Sequence, residues 1–296
     1  MKVLATRRYP GPAFDELADV EVGPLEAAPA GVEALVVANE PVPLERFPAL
    51  RLVANFGVGY DRLGIEELRA HGVAVTNTPG VLDAATADLT WALILAVRRR
   101  VVEGDRHVRA GEWTGSWADG FLAEELSGST LGIVGLGRIG TAVARRARGF
   151  DLRVLYAQRR QVNTGLAEYR ELDDLLTESD LVTIHAPLTD ATRSLLDVRR
   201  LSLLRDGACL VNTARGEIVD ETALVQELAS GRIHAGLDVF AHEPNVPEAL
   251  LSLPNVVLTP HLGSATRQTR EAMTRIVVDN VLAFERGDTL ITPVPG

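Results

Sequence analysis

Lysine and cysteine are almost absent from this chain of 296 residues. Of the 30 basic residues, one is Lys2 and the other 29 are arginines, so neither a Schiff-base lysine nor a P-loop lysine lies in the body of the chain. The single cysteine, Cys209, excludes an internal disulfide, and the apolar run at residues 208–211 favours a buried small hydrophobe over a nucleophile. Cysteine and histidine form no cluster with the spacing of metal ligands, so we expect no metal site.

Aromatic residues, net positive charge and long apolar runs are also lacking. Aromatic side chains make up 5% of the chain, and the net charge of −10 argues against binding to nucleic acid or to an anionic membrane. The longest apolar run, residues 91–97, is far short of a membrane span, and residues 1–12 show no signal-peptide pattern. We therefore expect a cytoplasmic protein of two domains, since a domain averages about 150 residues.

The chain does contain a repeated alternation of short apolar runs with helical segments. Because several runs are continuously apolar, they suit parallel strands buried on both faces, and the alternation indicates an α/β fold of βαβ units. Two long helices are predicted, over residues 83–111 and 264–286. The predicted strands are residues 2–5, 34–37, 51–55, 73–76, 131–134, 153–156, 181–185, 208–212, 234–239 and 256–259.

The two long helices bracket a block that has its own series of strands and helices. This arrangement indicates an inserted domain, formed by residues 95–266. Residues 1–94 together with residues 267–296 would form the other domain, which is therefore discontinuous in sequence. The long helices would be the crossovers, and a cleft would lie between the two domains.

The strongest motif is a glycine fingerprint for binding a dinucleotide, Gly132-Ile133-Val134-Gly135-Leu136-Gly137-Arg138-Ile139-Gly140. An apolar strand leads into it and a helix follows, and a further strand comes next, which favours this interpretation over a plain glycine turn. Gly135 permits the tight turn, Gly137 lets the backbone approach the pyrophosphate, and Gly140 lets helix and strand pack closely. The helix N-terminus then faces the phosphates.

The residues after that further strand bear on which dinucleotide binds. An acidic residue about 20 positions after the fingerprint would bind the ribose 2′-hydroxyl of NAD, but this strand ends in Gln158-Arg159-Arg160. Arginine pairs with a 2′-phosphate, which a carboxylate would repel. We therefore predict NADP as the cofactor, and NAD is the alternative if Arg159 and Arg160 are only solvated loop charges.

Polar residues follow several other predicted strands. The carboxyl ends of parallel strands form the edge at which ligands bind. His185 and His261 follow apolar strands, and Arg215 and Asp238 stand at two further strand ends. Histidine titrates near neutrality, so it is the first candidate for the proton donor that reduction of a carbonyl needs. Arg215, Asp238, Glu243 and His261 could converge on one edge or could be ordinary loop polars, and spacing alone leaves both open.

These segments together resemble the D-isomer-specific 2-hydroxyacid dehydrogenase family over almost the whole chain. Within that family, residues 76–82, 85–89 and 111–113 are similar to the glyoxylate and hydroxypyruvate reductases, and the missing acid after the second strand fits their preference for NADP. Leu262 and Asp83 depart from the residues usual in the family. Besides the fingerprint, the resemblance rests on Asn55-Phe56-Gly57-Val58-Gly59-Tyr60-Asp61, His185-Ala186-Pro187-Leu188-Thr189, Asn212-Thr213-Ala214-Arg215-Gly216, residues 236–244 and Pro260-His261-Leu262-Gly263-Ser264-Ala265-Thr266.

The resemblance implies three catalytic residues. His261 would give a proton to the substrate carbonyl, and Glu243 would be its acidic partner, whose negative charge favours the imidazolium. Arg215 would orient a 2-oxo acid, because its planar fork suits a carboxylate with an adjacent carbonyl. The backbone amides of Val58 and Gly59 would bind the substrate carboxylate, with His261 and Arg215 also contacting the substrate.

The resemblance also implies the cofactor contacts and the architecture. Arg138 and Ile139 would contact the pyrophosphate through their backbone, while Asp238 and Thr213 would lie near the nicotinamide. The implied fold is a Rossmann dinucleotide-binding domain inserted into a flavodoxin-like substrate domain. Further implied cofactor contacts are Thr90, Gln158, His185, Pro187, His261 and Gly263.

Two other functions and one assembly state stay open. The same chemistry could act on a bulkier aryl or sugar-derived 2-oxo acid with NADH, or the chain could be a nucleotide-sensing binding protein without turnover, since fold alone does not fix function. A homodimer is expected from the resemblance. Trp113 and Trp117 could be buried against the partner or could pack within the subunit.

Overall fold

The structure, a computed structural model, describes residues 1–115 and 119–295. Residues Met1–Leu82 and Ser264–Gly296 form unit 1, and Asp83–Gly263 forms unit 2. The strands are β1 (Val3–Ala5), β2 (Val20–Val22), β3 (Ala34–Val37), β4 (Leu52–Asn55), β5 (Ala74–Thr76), β6 (Thr130–Val134), β7 (Arg153–Ala157), β8 (Glu168–Tyr169), β9 (Leu181–Ile184), β10 (Cys209–Asn212), β11 (His234–Leu237) and β12 (Val256–Leu258).

Helices connect most of the strands. The α-helices are α1 (Ile65–Ala70), α2 (Asp83–Arg98), α3 (Val101–Arg109), α4 (Arg138–Ala147), α5 (Leu172–Glu178), α6 (Val198–Ser202), α7 (Glu221–Ala229), α8 (Glu248–Leu251) and α9 (Arg267–Arg286). Short 3₁₀ helices complete the connections, at Pro12–Glu16, Leu25–Ala27, Leu44–Arg46, Asp119–Phe121, Arg148–Phe150 and Gly216–Ile218.

Unit 1 contains a five-stranded sheet in the order β2-β1-β3-β4-β5, with every pair of neighbours parallel. This is the strand order of flavodoxin-like folds. The inner strands β3 and β4 are fully buried and, apart from Asn55 at the end of β4, continuously apolar, as expected when helices cover both faces. Leu35, Val37 and Val53 belong to the core on one face of this sheet.

Unit 2 contains a seven-stranded parallel sheet in the order β12-β11-β10-β9-β6-β7-β8. Counted from β6, this is the Rossmann order 3-2-1-4-5-6 with one further strand. Successive residues of β10 enter two cores on opposite faces: Leu210 belongs to one, Cys209 and Val211 to the other. Burial raises the pKa of the Cys209 thiol to about 12, which is the environment of a buried hydrophobe. The predicted fold class is confirmed.

The predicted strands are all present, with ends that agree within two residues. The short edge strands β2 and β8 were not predicted, because their residues are mostly exposed and give no apolar run. The single long helix predicted over residues 83–111 was wrong. The chain forms α2 and α3 instead, separated at Arg100, which has φ of 52° and binds Glu103 and the Gly120 carbonyl through its guanidinium.

The structure divides the chain at Leu82/Asp83 and Gly263/Ser264, whereas the sequence placed the boundaries after residues 94 and 266. The whole of α2 belongs to unit 2 because its apolar face packs there. Trp91 donates a hydrogen bond from its indole to the Val143 carbonyl. Leu93 packs so closely against β11 that a Cβ on Gly236 would lie 2.9 Å from it.

Candidate active site

The turn between β6 and α4 has no room for side chains at two of its glycines. Gly135 has φ of 96°, and a Cβ there would lie 2.8 Å from the Ala186 nitrogen. A Cβ on Gly140 would lie 2.2 Å from the Gly135 carbonyl oxygen. A Cβ on Gly137 would meet no atom within 4 Å, so the space beside that residue is open. No side chain caps α4 at Gly137, which leaves N–H groups of its first turn available to a phosphate.

The end of β7 contacts this turn through Gln158. The Leu136 N–H donates to Gln158 Oε1 at 3.0 Å, and Gln158 Nε2 donates to the Arg160 carbonyl at 2.7 Å. Arg159 and Arg160 are exposed, and within the described ranges neither forms an ion pair. The Gln158 side chain therefore joins the glycine turn to the backbone at Arg160.

The first residues of α4 differ in their surroundings. Arg138 is exposed, and its Nε lies 3.6 Å from Asp83 Oδ2, while Ile139 is half-buried. Burial raises the pKa of the Asp83 carboxyl. The exposed Arg138 guanidinium therefore makes a long ion pair with a mostly buried carboxylate, and its backbone N–H stays part of the first turn of the helix.

Two threonines distant in sequence meet inside unit 2. Thr90 on α2 and Thr213 after β10 place their hydroxyl oxygens 3.0 Å apart, and Thr90 also donates to the Thr86 carbonyl. Both side chains are buried. The structure thus brings together two residues that the sequence predicted as cofactor contacts and that lie in different elements.

His185 lies directly after β9, at the point where the strand order of the unit 2 sheet reverses. Its N–H donates to the Val134 carbonyl at 2.8 Å, while Nε2 of its ring is buried without a hydrogen-bond partner. Burial lowers the pKa of His185 to about 3, so the ring is neutral at physiological pH. Pro187 follows in the loop and accepts a hydrogen bond from Thr192 at its carbonyl. A buried unpaired nitrogen at a switch point is the kind of group that a bound dinucleotide can satisfy.

His261 and Glu243 form a direct pair after β12 and β11. Nδ1 of His261 lies 2.8 Å from Glu243 Oε2, and Glu243 Oε1 accepts the Phe240 N–H at 3.2 Å. A carboxylate can only accept, so Nδ1 is the donor and the tautomer is fixed. The His261 side chain is 47% exposed, which leaves Nε2 open to a reactant.

A single carboxylate holds the backbone around His261. Asp238 Oδ1 accepts the Thr259 hydroxyl at 2.7 Å and the Leu262 N–H at 2.6 Å, and Oδ2 accepts the Gly263 N–H at 2.8 Å. His261 has φ of 54°, an unfavourable conformation for a residue with a side chain. Burial raises the pKa of Asp238, although these hydrogen bonds oppose the rise.

The loop that carries Arg215 packs closely against the loop that carries Glu243. A Cβ on Gly216 would lie 2.0 Å from the backbone carbon of Phe240, so only glycine fits. Asn212 fixes the turn, donating from its side chain to the Arg215 carbonyl and accepting the Ala214 N–H. Arg215 itself is half-buried and donates from Nη1 to the Ala214 carbonyl at 2.7 Å. Arg215, Glu243 and His261 therefore share the carboxyl edge of the unit 2 sheet.

Val58 and Gly59 lie in unit 1, in the turn after β4. The Asn55 side chain donates to the Gly57 and Gly59 carbonyls, and Asn77 donates to the Val58 carbonyl at 2.9 Å. Within residues 1–115 and 119–295, the N–H groups of Val58 and Gly59 make no hydrogen bond. The carbonyls are thus tied to asparagines and the two N–H groups are available to an anion.

The residues that sequence reasoning missed are asparagines and a threonine that hold backbone turns. Asn55 and Asn212 each end a buried strand and bind the turn that follows, and the Thr259 hydroxyl donates to Asp238. A signal for the two asparagines was present, since asparagine after a strand favours a turn held by its own side chain. In the parts of the chain that are described, no group of three metal-ligating side chains occurs, and no helix has both the length and the apolar content to cross a bilayer.

The fold and site together define a nicotinamide-dependent dehydrogenase: a Rossmann glycine turn stands on the same sheet edge as a histidine–carboxylate pair. A profile of the D-isomer specific 2-hydroxyacid dehydrogenase NAD binding domain matches residues 91–263. The glyoxylate reductase of Pyrococcus furiosus is 51% identical over 253 residues, covering 82% of this chain and 75% of that protein. The glyoxylate reductase of Thermococcus kodakarensis is 45% identical and covers 97% of this chain and 94% of its own.

Solved structures are similar over the whole chain. The NADPH-dependent glyoxylate/hydroxypyruvate reductase of Sinorhizobium meliloti, in complex with NADP and malonate, has a TM-score of 0.91 at 36% identity, covering 99% of this chain and 96% of that one. The TT0316 protein of Thermus thermophilus has a TM-score of 0.93 at 43% identity, with full coverage of both chains. This chain belongs to the D-isomer specific 2-hydroxyacid dehydrogenase family.

Proposed function

We propose that this protein reduces small 2-oxo acids, glyoxylate or hydroxypyruvate, to the D-2-hydroxy acid with NADPH. The observation that carries the proposal is the pair of His261 and Glu243 at 2.8 Å, beside the loop of Arg215. The relatives named above are glyoxylate reductases, and one solved neighbour is named for both substrates. A nicotinamide cofactor supplies the hydride when it is bound.

In this proposal His261 is the proton donor. Glu243 accepts from Nδ1, so the proton on Nε2 is the one that passes to the substrate oxygen as the carbonyl is reduced. The negative charge of Glu243 stabilises the imidazolium before transfer and orients the neutral ring afterwards. Asp238 acts through His261 as a positioning residue, because it fixes the strained backbone that carries the ring.

Arg215 binds the 2-oxo acid through its planar fork, which matches a carboxylate next to a carbonyl. The N–H groups of Val58 and Gly59 bind the substrate carboxylate, supported by the asparagines that occupy the neighbouring carbonyls. Both sets of donors act on the anionic end of the substrate. These contacts therefore recognise the 2-oxo acid group that all the candidate substrates share.

The residues around the glycine turn are suited to a dinucleotide. The open space at Gly137 admits the pyrophosphate, Arg138, Ile139 and Gly140 begin the helix that faces it, and Gly135 makes the turn. Other proposed contacts follow the sheet edge: Thr90, Gln158, His185, Pro187, Thr213, Asp238, His261 and Gly263. The preference for NADPH rests on Arg159 and Arg160, whose guanidiniums form no ion pair in the described part of the chain and suit a 2′-phosphate.

Initial rates of cofactor oxidation test the proposal. Glyoxylate, hydroxypyruvate and phenylpyruvate are each assayed with NADPH and NADH, for the wild type and for the double variant Arg159→Ala/Arg160→Ala. We expect turnover of the two small acids with NADPH, and in the double variant a loss of roughly tenfold or more in kcat/KM for NADPH with little change for NADH. Arg148→Ala removes a charge away from the end of β7 and serves as the matched control.

Each other outcome points to a different function. Turnover of phenylpyruvate alone would favour a bulkier substrate, and equal kcat/KM for NADH and NADPH would contradict the cofactor preference. The absence of turnover with every pair would favour the nucleotide-sensing binding protein. A turnover number in the usual range of about 1–1000 per second would exclude that alternative.

We also propose that the protein is a homodimer in solution and cytoplasmic, as expected from the sequence. Supporting the dimer, unit 2 exposes apolar side chains around α3, with Val101 and Val108 each 55% exposed and Trp113 57% exposed. Trp117 lies outside the described residues. Light scattering on the wild type and on Trp113→Ser would test the dimer, which predicts twice the monomer mass for the wild type.

A further inference from the structure

The peptide groups of the turn after β4 are held through their carbonyl oxygens. The Gly57 carbonyl accepts the Thr78 N–H at 3.0 Å, and the Val58 carbonyl accepts the side-chain amide of Asn77 at 2.9 Å. In a trans peptide the carbonyl of one residue and the N–H of the next lie in one plane and point in opposite directions. The contacts to the two carbonyls therefore set the directions of the N–H groups of Val58 and Gly59.

The peptide group between Val58 and Gly59 depends on such a contact more than most. Glycine populates positive and negative φ about equally, so a peptide group that precedes a glycine rotates at little cost. The Asn77 amide holds the carbonyl of this peptide group. If that contact loosened, the Gly59 N–H would be free to turn away from an anion.

Both backbone groups of Asn77 are bound by one residue of the segment that follows α9. The Asn77 N–H donates to the Thr292 carbonyl at 3.2 Å, and the Asn77 carbonyl accepts the Thr292 hydroxyl at 2.6 Å. Because its N–H and its carbonyl are both held, the side chain of Asn77 starts from a fixed backbone. Thr292 therefore directs the amide that binds the Val58 carbonyl.

Thr292 is held in turn by Asn280, a buried side chain of α9. Asn280 Oδ1 accepts the N–H groups of Ile291 and Thr292 at 2.9 Å and 3.1 Å, while Nδ2 donates to the Thr292 hydroxyl at 2.9 Å and to the Ile276 carbonyl at 2.7 Å. An asparagine side chain has two donors and an oxygen with two lone pairs, so its full hydrogen-bonding capacity is used. The amide fixes both the backbone and the hydroxyl of Thr292.

The segment that contains Thr292 also pairs with the edge strand of the unit 1 sheet. Thr76 of β5 forms an antiparallel bridge with Pro293, and the Val294 N–H donates to the Val75 carbonyl at 2.9 Å. Thr292 is thus anchored by α9 on one side and by β5 on the other. A change at its hydroxyl acts on a fixed backbone, so its effect should be confined to the contacts of that hydroxyl.

We propose that Thr292 is a positioning residue for substrate binding, acting through Asn77 on the N–H of Gly59. This role rests on the proposed function, in which that N–H binds the carboxylate of the 2-oxo acid. The carboxylate is unchanged while the neighbouring carbonyl is reduced, so a misdirected N–H weakens binding of the substrate and of the transition state alike. Loss of the Thr292 hydroxyl should therefore raise KM and leave kcat nearly unchanged.

Steady-state kinetics of Thr292→Val with glyoxylate and NADPH test this role. Valine removes the hydroxyl at nearly constant volume, so KM for glyoxylate should rise about five- to tenfold, with kcat within about twofold of the wild type. Thr292→Ser keeps the hydroxyl and should bring KM back to within about twofold of the wild type. Thr274→Val is the matched control: it removes another buried threonine hydroxyl of α9, which donates within its own helix, and should leave KM unchanged.

A double-mutant cycle tests the route through Asn77. Asn77→Ala removes the donor to the Val58 carbonyl and should raise KM at least as much as Thr292→Val does. Because Thr292 acts through Asn77, adding Thr292→Val to Asn77→Ala should change KM by less than about twofold. Effects that multiply in the double variant would show two independent contributions and would overturn the proposal.

Binding of oxalate separates this role from the proposed reaction. Oxalate carries the carboxylate of a small 2-oxo acid and has no carbonyl that accepts a hydride, so calorimetric titration of the protein with saturating NADP measures binding without turnover. Its Kd should rise about five- to tenfold for Thr292→Val and return for Thr292→Ser. Oxalate binding with this dependence, in a wild type that reduces no 2-oxo acid, would contradict the reductase proposal and support the role of Thr292.

Three results of the oxalate titration would overturn the role of Thr292. The first is no saturable binding to the wild type. The second is an equal Kd for the wild type and Thr292→Val. The third is an increase for Thr274→Val as large as that for Thr292→Val, because a general loss of stability in α9 would then explain both.

Discussion

The loop after β6 and the loop after β12 lie on the same edge of the unit 2 sheet, but they keep their shape in opposite ways. The loop after β6 depends on missing side chains: a Cβ on Gly135 or Gly140 would overlap backbone atoms. The loop after β12 depends on one added side chain, the Asp238 carboxylate, which binds three donors around His261.

The two loops should therefore respond differently to amino-acid substitution. A steric limit fails abruptly, because a backbone atom 2.2 Å from a new Cβ cannot move without moving the sheet. A carboxylate clamp can weaken by degrees, because its hydrogen bonds can be removed one at a time and its charge can titrate. The loop after β6 therefore tolerates no side chain at Gly135 or Gly140, whereas the loop that carries His261 can lose single hydrogen bonds and keep the others.

The largest effect is expected for Gly140→Ala, compared with Gly137→Ala. The new methyl group at residue 140 would overlap the Gly135 carbonyl, so we expect a loss of roughly 3 kcal/mol in the free energy of unfolding and no measurable NADPH binding. Gly137→Ala should lower the free energy of unfolding by less than about 1 kcal/mol, because its methyl group enters open space. It should still weaken NADPH binding, because that open space is where the pyrophosphate is proposed to bind. Urea unfolding measures the free energy of unfolding of each variant, and fluorescence titration measures its Kd for NADPH. Equal behaviour of the two variants would contradict the steric explanation.

A smaller effect is expected for Asp238→Asn, compared with Thr259→Val. The asparagine amide turns one acceptor into a donor that faces the Leu262 or Gly263 N–H, so the His261 loop should loosen and kcat should fall by roughly 10- to 100-fold, with KM changing less. Thr259→Val removes only one hydrogen bond and should lower kcat less than about threefold. Steady-state kinetics with glyoxylate and NADPH decide. A drop for Thr259→Val as large as for Asp238→Asn would argue against a graded clamp.

The smallest effect concerns the pH dependence of stability at His185. Burial lowers its pKa to about 3 from an ordinary value near 6.5, so the folded chain binds fewer protons than the unfolded chain between these values. This contribution to stability is complete above pH 6.5 and is lost as the pH falls toward 3, by about 1 kcal/mol per pH unit. Urea unfolding from pH 7 to pH 5 should show a shallower decline for His185→Gln than for the wild type. Parallel declines would mean that His185 is not the group responsible.

Much of the fold could be predicted from the sequence because buried parallel strands are continuous apolar runs. Strands were predicted at residues 34–37 and 181–185 from their runs of mostly apolar residues, and the structure has buried strands at residues 34–37 and 181–184. The break between α2 and α3 could not be predicted, since it depends on Arg100 binding carbonyls about 20 residues away. Strands β2 and β8 gave no signal because they are exposed edges.

The site could be predicted in part. The glycine fingerprint could be predicted because the turn and the helix packing have no space for side chains at Gly135 and Gly140. Arg215, Glu243 and His261 were predicted from the resemblance to a family. The Asp238 clamp and the left-handed backbone of His261 could not be found, because hydrogen bonds between residues 21 to 25 apart leave no local pattern.

The kcat of His261→Ala with glyoxylate and NADPH, together with its Kd for NADPH, tests the proton-donor role of His261. Loss of the proton donor should lower kcat by about 10²- to 10⁴-fold, while the Kd changes less than about threefold. His242→Ala, which removes the exposed histidine beside Glu243, is the matched control and should keep kcat within about twofold of the wild type. A kcat for His261→Ala equal to that of the wild type would contradict the assignment of His261 as the proton donor.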